Sequence, residues 1–217
     1  RFLYDGPYEE FKATLYSMGE IPLPRYVRPN VEPIDNERFQ TIFAKEEGAV
    51  ASPAAGLHFS REVFKRMEIE DIETEFITLH MGLGHFRTVD VEDLSKHKID
   101  SERVTITEES AEHINKAKIN GKKVFAVGVT VVRALETPVT TTKQLKPFDG
   151  WTNKFIFPPY SFSIPDAMVT NFHMPGSTML MSAAAFGGFD NVMRAYKEAL
   201  NEGYKFGMYG DAMLIID

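Results

Sequence analysis

Apolar positions in "PYEEFKATLYSMG" recur at helical spacing through Phe11, Leu15 and Met18, which predicts a helix over 7–19 that Gly19 ends. The next stretch, "EIPLPRYVRPNVEP", carries Pro22, Pro24, Pro29 and Pro33. Proline fixes φ and has no amide hydrogen, so this stretch predicts an extended linker. "DNERFQTIFAKEEGAVASPAAGLHF" predicts a short helical start and then a loop rich in glycine and proline. "SREVFKRMEIE" predicts a helix with Ser60 as its N-cap, and "TEFITLHMGLG" a strand that terminates in glycines. Residues 107–120 form the clearest helix: Thr107 caps it, Glu108 and Glu109 suit its positive end, and Gly121 stops it. Beyond it, "KKVFAVGVT" predicts a buried strand, "VVRALET" the next helix, and "TPVTTTKQLKPFDGW" a polar loop. "KFIFPPYSF" and "AMVTNF" predict two strands, and "GDAMLII" a last one. Between them "DNVMRAYKEALNEGY" predicts an amphipathic helix, with Asp190 as N-cap, Val192, Met193, Tyr196 and Leu200 inward, and Gly203 at its end.

Strands that alternate with helices predict an α/β architecture with parallel strands, open or closed into a barrel. The chain of 217 residues, 43% hydrophobic, is long enough for one sizeable core, or for one domain and a piece of another. The absence of cysteine removes disulfides, thiolate zinc sites and a cysteine nucleophile. No apolar run approaches the ~20 residues of a membrane span, and the first residues lack a leader pattern. A cytoplasmic protein without membrane contact and without an obligate protein partner is therefore expected. A net charge of −7 means that any nucleic-acid partner would need a local basic patch.

In α/β folds, ligand groups gather at the carboxyl ends of strands, where loops and helix N-termini converge. The polar oddities of this chain fall at such places: "GAVASPAAGLHF", "HMGLGHFR", "GVTVVRALE" and "TNFHMPGST". Taken singly, each has an ordinary explanation. His58, His80, His85 or His173 could be a satisfied structural residue, Arg133 could pair with Glu136 or Glu109, Asp211 could be a turn residue, and Ser177 and Thr178 could cap a helix. Together they predict one site. Helix starts near Gly176–Thr178 and Gly128–Thr130 would hold an anion such as a carboxylate. Phe59, Phe86, Phe172 and Tyr209 could stack a planar base or face a cation. Histidine supplies proton transfer near neutral pH. His80 and His85 stand five apart with no carboxylate at helical spacing, so no metal is expected.

Seven blocks, in order and over almost the whole chain, carry a resemblance: "RFQTIFAKEEGAVASPAAGLHF", "HMGLGHFRTV", "HKIDSE", "VFAVGVTVVRALE", "FIFPPYSF", "TNFHMPGSTMLM" and "YKFGMYGDAMLI". They resemble the S-adenosylmethionine:tRNA ribosyltransferase-isomerase family of queuosine biosynthesis, matching the C-terminal two-thirds of its members. The resemblance implies an α/β barrel-like catalytic domain over 34–217, preceded in 1–33 by the tail of an inserted β-barrel module and its Pro-rich linker. It also implies S-adenosylmethionine as co-substrate and the tRNA anticodon loop as partner. The ribosyl part of S-adenosylmethionine would pass to the 7-aminomethyl-7-deazaguanine wobble base, giving epoxyqueuosine, adenine and methionine. His58, His80 and His173 would then be the proton-transfer candidates. The methionine carboxylate would rest on Ser177 and Thr178 with help from Arg133. Gly56, Phe59, Gly82, Gly84, Phe86, Thr130, Glu136, Asn171, Phe172, Tyr209 and Asp211 complete the expected substrate contacts. Departures from the family's usual residues fall at Ile99, Asp100, Val129, Val131, Pro159 and Gly176. They leave open a related protein that binds S-adenosylmethionine but uses another acceptor, or a non-catalytic RNA- or nucleoside-binding module.

Overall fold

The computed structural model describes residues 3–28 and 30–216; Pro29 of the predicted linker and the side chain of His85 lie outside the described residues. Helix α1 (Tyr8–Met18) ends at Gly19, and the Pro-rich segment leads without regular structure to α2 (Asp35–Arg38). A 3-10 turn, Ala54–His58, precedes α3 (Arg61–Ile69), where Ser60 accepts the amide of Val63 as an N-cap does. Strand β1 (Thr78–His80) runs into a second 3-10 turn, Leu83–Phe86. Then follow β2 (Glu102–Ile106) and α4 (Glu108–Ile119), which Thr107 caps by accepting from Ser110 N. Next come β3 (Phe125–Val127), α5 (Val129–Leu135), β4 (Phe148–Thr152) and β5 (Ala167–Asn171). The chain closes with α6 (Thr178–Gly187), α7 (Phe189–Asn201) and β6 (Ala212–Ile216).

Two three-stranded sheets result, β1-β2-β4 and β3-β5-β6. The expected run of parallel strands is corrected here: among the described residues only β3 and β5 pair in parallel, and the other three strand pairings are antiparallel. Strands β2 and β4 lie outside the sequence-predicted set. β4 contains Asp149 and Gly150, poor strand formers, and is held by five residues in register with β2. Conversely, "KFIFPPYSF" forms no strand, because Pro158 and Pro159 cannot donate to a ladder. Helix α7 starts two residues earlier than predicted, with Gly188 at the N-cap and Asp190 inside the first turn. Its inward face uses Val192, Tyr196 and Ala199, whereas Leu200 is exposed.

The core divides accordingly. Val104, Ile106, Ile114, Leu135 and Ile164 fill the space between the first sheet and α4. Ala126, Val132, Ile156, Met168 and Ala183 join the second sheet to α5 and α6. Phe172, Val192, Tyr196 and Ala199 seat α7. Because β3 and β5 are parallel, their carboxyl ends open on one edge, and α5 and α6 begin there. Antiparallel β6 adds its first residues to the same edge, with Ala212 opposite Asn171.

Candidate active site

At this edge the four polar loops are tied to one another. Val50 N donates to Met81 O (2.9 Å), joining the 48–59 loop to the glycine turn after β1. Gly48, at φ +146°, lies so close to the His80 ring that a Cβ there would stand 2.8 Å from Nδ1, which requires glycine on both conformational and steric grounds. His58 reaches Asn171 at the end of β5. Val89 N donates to Gly176 O (2.9 Å), placing the 82–89 segment against the loop that leads into α6.

One centre forms around His58. The side-chain amide of Asn171, 1% exposed, donates from Nδ2 to Gly207 O (2.9 Å) and Gly210 O (3.3 Å), which turns its Oδ1 toward the exposed His58 ring. An amide oxygen only accepts, so Nε2 of His58, at 3.1 Å, carries the hydrogen in this pair. The lone pair of the neutral ring is then on Nδ1, a nitrogen able to take a proton. His173 sits two residues on, but its ring is 8% exposed and its Nε2 lies 2.6 Å from Thr170 Oγ1. Its backbone amide donates to the Tyr196 hydroxyl at 2.7 Å. Burial pushes the Tyr196 phenol up to about 12, against the opposing effect of that amide donor.

A second centre forms around Arg133, which sits in the last turn of α5. Its Nη1 donates to Glu102 Oε2 (2.9 Å) and its Nε to Lys154 O (3.0 Å), while Nη2 is buried without a partner among the described residues. The other Glu102 oxygen accepts Gly82 N at 3.2 Å, so one carboxylate holds both the arginine and the glycine turn after β1. Arg133, Gly84 and Thr178 line one small pocket together with Arg87, Lys98 and Asp100. Ser177 caps α6, accepting Leu180 N at 3.2 Å and donating to Met174 O at 2.8 Å. His80, at the end of β1, keeps a buried Nε2 without a partner among the described residues.

Several expected ligand contacts have other work in this structure. Phe172 is 5% exposed, its ring 5.2 Å from those of Tyr196 and Phe206, so it is a core residue and presents no face to a base. Phe59 faces Phe64 at 6.0 Å within a cluster that includes Phe43 and Phe76, while Phe86 stays 43% exposed near the site. The Glu136 carboxylate accepts the amides of Ser163 and Ile164 and the hydroxyl of Tyr160, which orders the Pro158–Pro159 segment and leaves it little capacity for a ligand. Tyr209 donates to Asp35 Oδ1 (3.2 Å), and Asp211 accepts Lys205 N (2.7 Å) in a turn. Gly56 is needed for packing, since a Cβ would stand 2.9 Å from the Phe43 ring, and Thr130 is buried at the start of α5. Among the described residues no group of three or more His, Asp or Glu is placed to hold a metal.

Sequence reasoning missed Glu102. Its signal was available: in "ERVTI" the alternation places Glu102 on the same face as Val104 and Ile106, and a carboxylate at an inward position demands a buried partner.

The four loops bring histidine, asparagine and a buried arginine to one edge of an α/β fold, at the carboxyl ends of strands where such folds gather ligand groups. The sequence profile described as "Queuosine biosynthesis protein" matches residues 1–215, and the chain belongs to that family. Over the full chain it is 61% identical to an S-adenosylmethionine:tRNA ribosyltransferase-isomerase of Phocaeicola vulgatus and 63% identical to one of Bacteroides fragilis. It spans 62% of the length of each. A crystal structure of S-adenosylmethionine tRNA ribosyltransferase from Thermotoga maritima is similar, with a TM-score of 0.62 at 36% identity over 75% of this chain and 51% of that one. These likenesses establish the α/β fold and the family.

Proposed function

We propose that this chain carries the catalytic centre of an S-adenosylmethionine-dependent tRNA ribosyltransferase-isomerase. In this reading the ribosyl moiety of S-adenosylmethionine moves onto the 7-aminomethyl-7-deazaguanine wobble base in the tRNA anticodon loop. Adenine and methionine leave, and epoxyqueuosine remains, in the cytoplasm. The observation that carries the proposal is the end-to-end family match combined with the junction of the four matched loops at the β3/β5 edge. Residues 1–33 would be the tail of an inserted module and its linker, and 34–217 the catalytic domain. In the longer relatives, strands outside the matched part would bring the two open sheets toward a barrel-like closure.

The sulfonium of S-adenosylmethionine acidifies the hydrogens on the adjoining ribose carbon, so a nearby base can start the reaction, and adenine takes up a proton as it leaves. His58 is the first candidate for the base, because the Asn171 contact fixes its Nε2 hydrogen and presents Nδ1. His80, whose buried Nε2 has no partner among the described residues, is the candidate for the second transfer. His173 would act by holding the loop, through Thr170 and Tyr196. Incubation with S-adenosylmethionine and tRNA bearing the aminomethyl-deazaguanine, read as free adenine, tests the reading. His58→Gln and His80→Gln should each lower adenine release by about 10²-fold or more. Unchanged release would remove that histidine from the mechanism, and no release by the unaltered protein despite S-adenosylmethionine binding would point to a different acceptor.

A further inference from the structure

The Asn171 amide does not choose by its own shape which end faces His58, because its oxygen and its NH2 exchange places by a half-turn of the side chain. The choice is made by the 207–210 loop, whose Gly207 and Gly210 carbonyls accept Nδ2 at 2.9 and 3.3 Å. Between those two carbonyls stand Met208 and Tyr209, and both are held from outside the loop. Met208 N donates to the Tyr26 hydroxyl at 3.0 Å, and the Tyr209 hydroxyl donates to Asp35 Oδ1 at 3.2 Å. The Tyr26 ring lies so close over Gly207 that a Cβ there would stand 2.4 Å from it, and φ at Gly207 is +86°, so only glycine allows this approach. Asp35 is fully buried, and its Oδ2 accepts Arg28 Nη2 and the Glu32 amide (2.8 Å). A buried carboxylate is costly unless its oxygens are engaged, and these partners engage both. Among the described residues the remaining hydrogen bonds of 19–34 stay within the segment or reach the helices at its two ends. The hydrogen bonds that cross from the Pro-rich segment and Asp35 therefore converge on one place, the loop behind Asn171.

We infer that Tyr26 and Asp35 are positioning residues for the His58–Asn171 pair: by fixing Met208 and Tyr209 they keep the Gly207 and Gly210 carbonyls on Nδ2, and so keep Oδ1 on the imidazole. Displacing either residue moves an acceptor of the amide. The expected effect on turnover rests on the proposed function, in which His58 is the base; the effect on the ring does not.

The test is nitrogen NMR of the histidine rings in the full chain at pH about 8, where an ordinary histidine is neutral, paired with adenine release. The unaltered protein should carry the His58 hydrogen on Nε2. Tyr26→Phe removes the acceptor of Met208 N and keeps the ring over Gly207. A hydrogen bond is worth up to about tenfold in an equilibrium, so the Nδ1–H ring should rise from about one in a hundred to about one in ten. Asp35→Asn, which releases Arg28 and disturbs Tyr209, should raise it to about half, with kcat falling by about the same fraction and KM for S-adenosylmethionine within about twofold. Lys118→Met is the control: it removes contacts to Ile164 O (2.8 Å) and Asp166 (2.9 Å) at the amino ends of β3 and β5 and should leave the His58 ring as it is. An unchanged ring in both variants overturns the inference, as does an unaltered protein with the hydrogen on Nδ1, or the same change in Lys118→Met, which would make it a consequence of lost stability. A changed ring with unchanged adenine release upholds the positioning role and removes His58 from the chemistry. Tyr26→Phe decides the matter if Asp35→Asn does not fold.

Discussion

Glu102→Gln keeps the shape of the buried side chain and removes its charge, which isolates the electrostatic part of the Arg133 contact. The two side chains are 3% and 8% exposed, so the pair is desolvated in the folded state. Coulomb attraction and two hydrogen bonds, at 2.9 and 3.2 Å, offset that desolvation only while both partners are present. Glutamine at this position must turn an NH2 toward either the guanidinium or the Gly82 amide, both donors, so one contact becomes donor against donor. Leaving a buried charge uncompensated costs about 3–5 kcal/mol. For a chain of this size each kcal/mol lowers the melting temperature by about 2–4 °C, so the variant should melt about 6–20 °C earlier. Urea unfolding should show the same loss as a lower midpoint at an unchanged slope. Replacing both residues with methionine should restore most of the stability, because no buried charge is then left alone. A shift below about 2 °C for Glu102→Gln would refute the reasoning, since it would mean that water reaches the pair in solution.

Tyr196→Phe leaves the buried His173 amide without an acceptor and should destabilise by about 1–3 kcal/mol in urea unfolding. In the unaltered protein the Tyr196 phenol, raised to about 12 by burial, should ionise later than ordinary tyrosines in an absorbance titration. Glu75 hydrogen-bonds His113 at 2.5 Å and raises its pKa, so this contact's stabilisation is full below the ordinary histidine pKa and disappears as pH rises through the raised folded value. Glu75→Gln should flatten that part of the melting-temperature profile above pH about 6.5. Arg28 holds the Asp35 carboxyl below its ordinary range, so the stabilisation from this pair is present above the ordinary carboxylate pKa and is lost as pH falls through the lowered value. Asp35→Asn should therefore make cleavage within residues 20–34 faster in limited proteolysis at neutral pH, and less sensitive to acid.

Elements that carry their own stop and start chemistry were legible in the sequence. Ser60 and Thr107 cap the helices they were expected to cap, and Gly121 and Gly203 follow the ends of α4 and α7 with positive φ. Strands β2 and β4 were not legible, because what stabilises "FDGWT" as a strand is its partner across the ladder, which local propensity does not contain. The strand directions escaped for the same reason, since alternation of helix and strand does not specify which neighbours pair. At the site, loop position was informative: the segments holding His58, His80, Arg133 and Asn171 do lie against one another. Side-chain orientation was not. Phe172 beside a polar cluster reads the same whether it faces a ligand or the α7 core, and only packing with Tyr196, Tyr204 and Phe206 distinguishes the two. For Glu102 the inward position could be read from the alternation, but its partner, an arginine 31 positions away, could not.

The Asn171 amide is oriented by carbonyls of the 207–210 loop, and that loop is itself moored from upstream: Met208 N donates to the Tyr26 hydroxyl, and Tyr209 is held by Asp35, which Arg28 grips. A guy-rope runs from the Pro-rich segment to the amide that selects the tautomer of His58. Slackening it would free the Asn171 amide to turn Nδ2 toward His58, and the ring hydrogen would then have to sit on Nδ1, so a contact more than twenty positions upstream bears on the orientation of that pair.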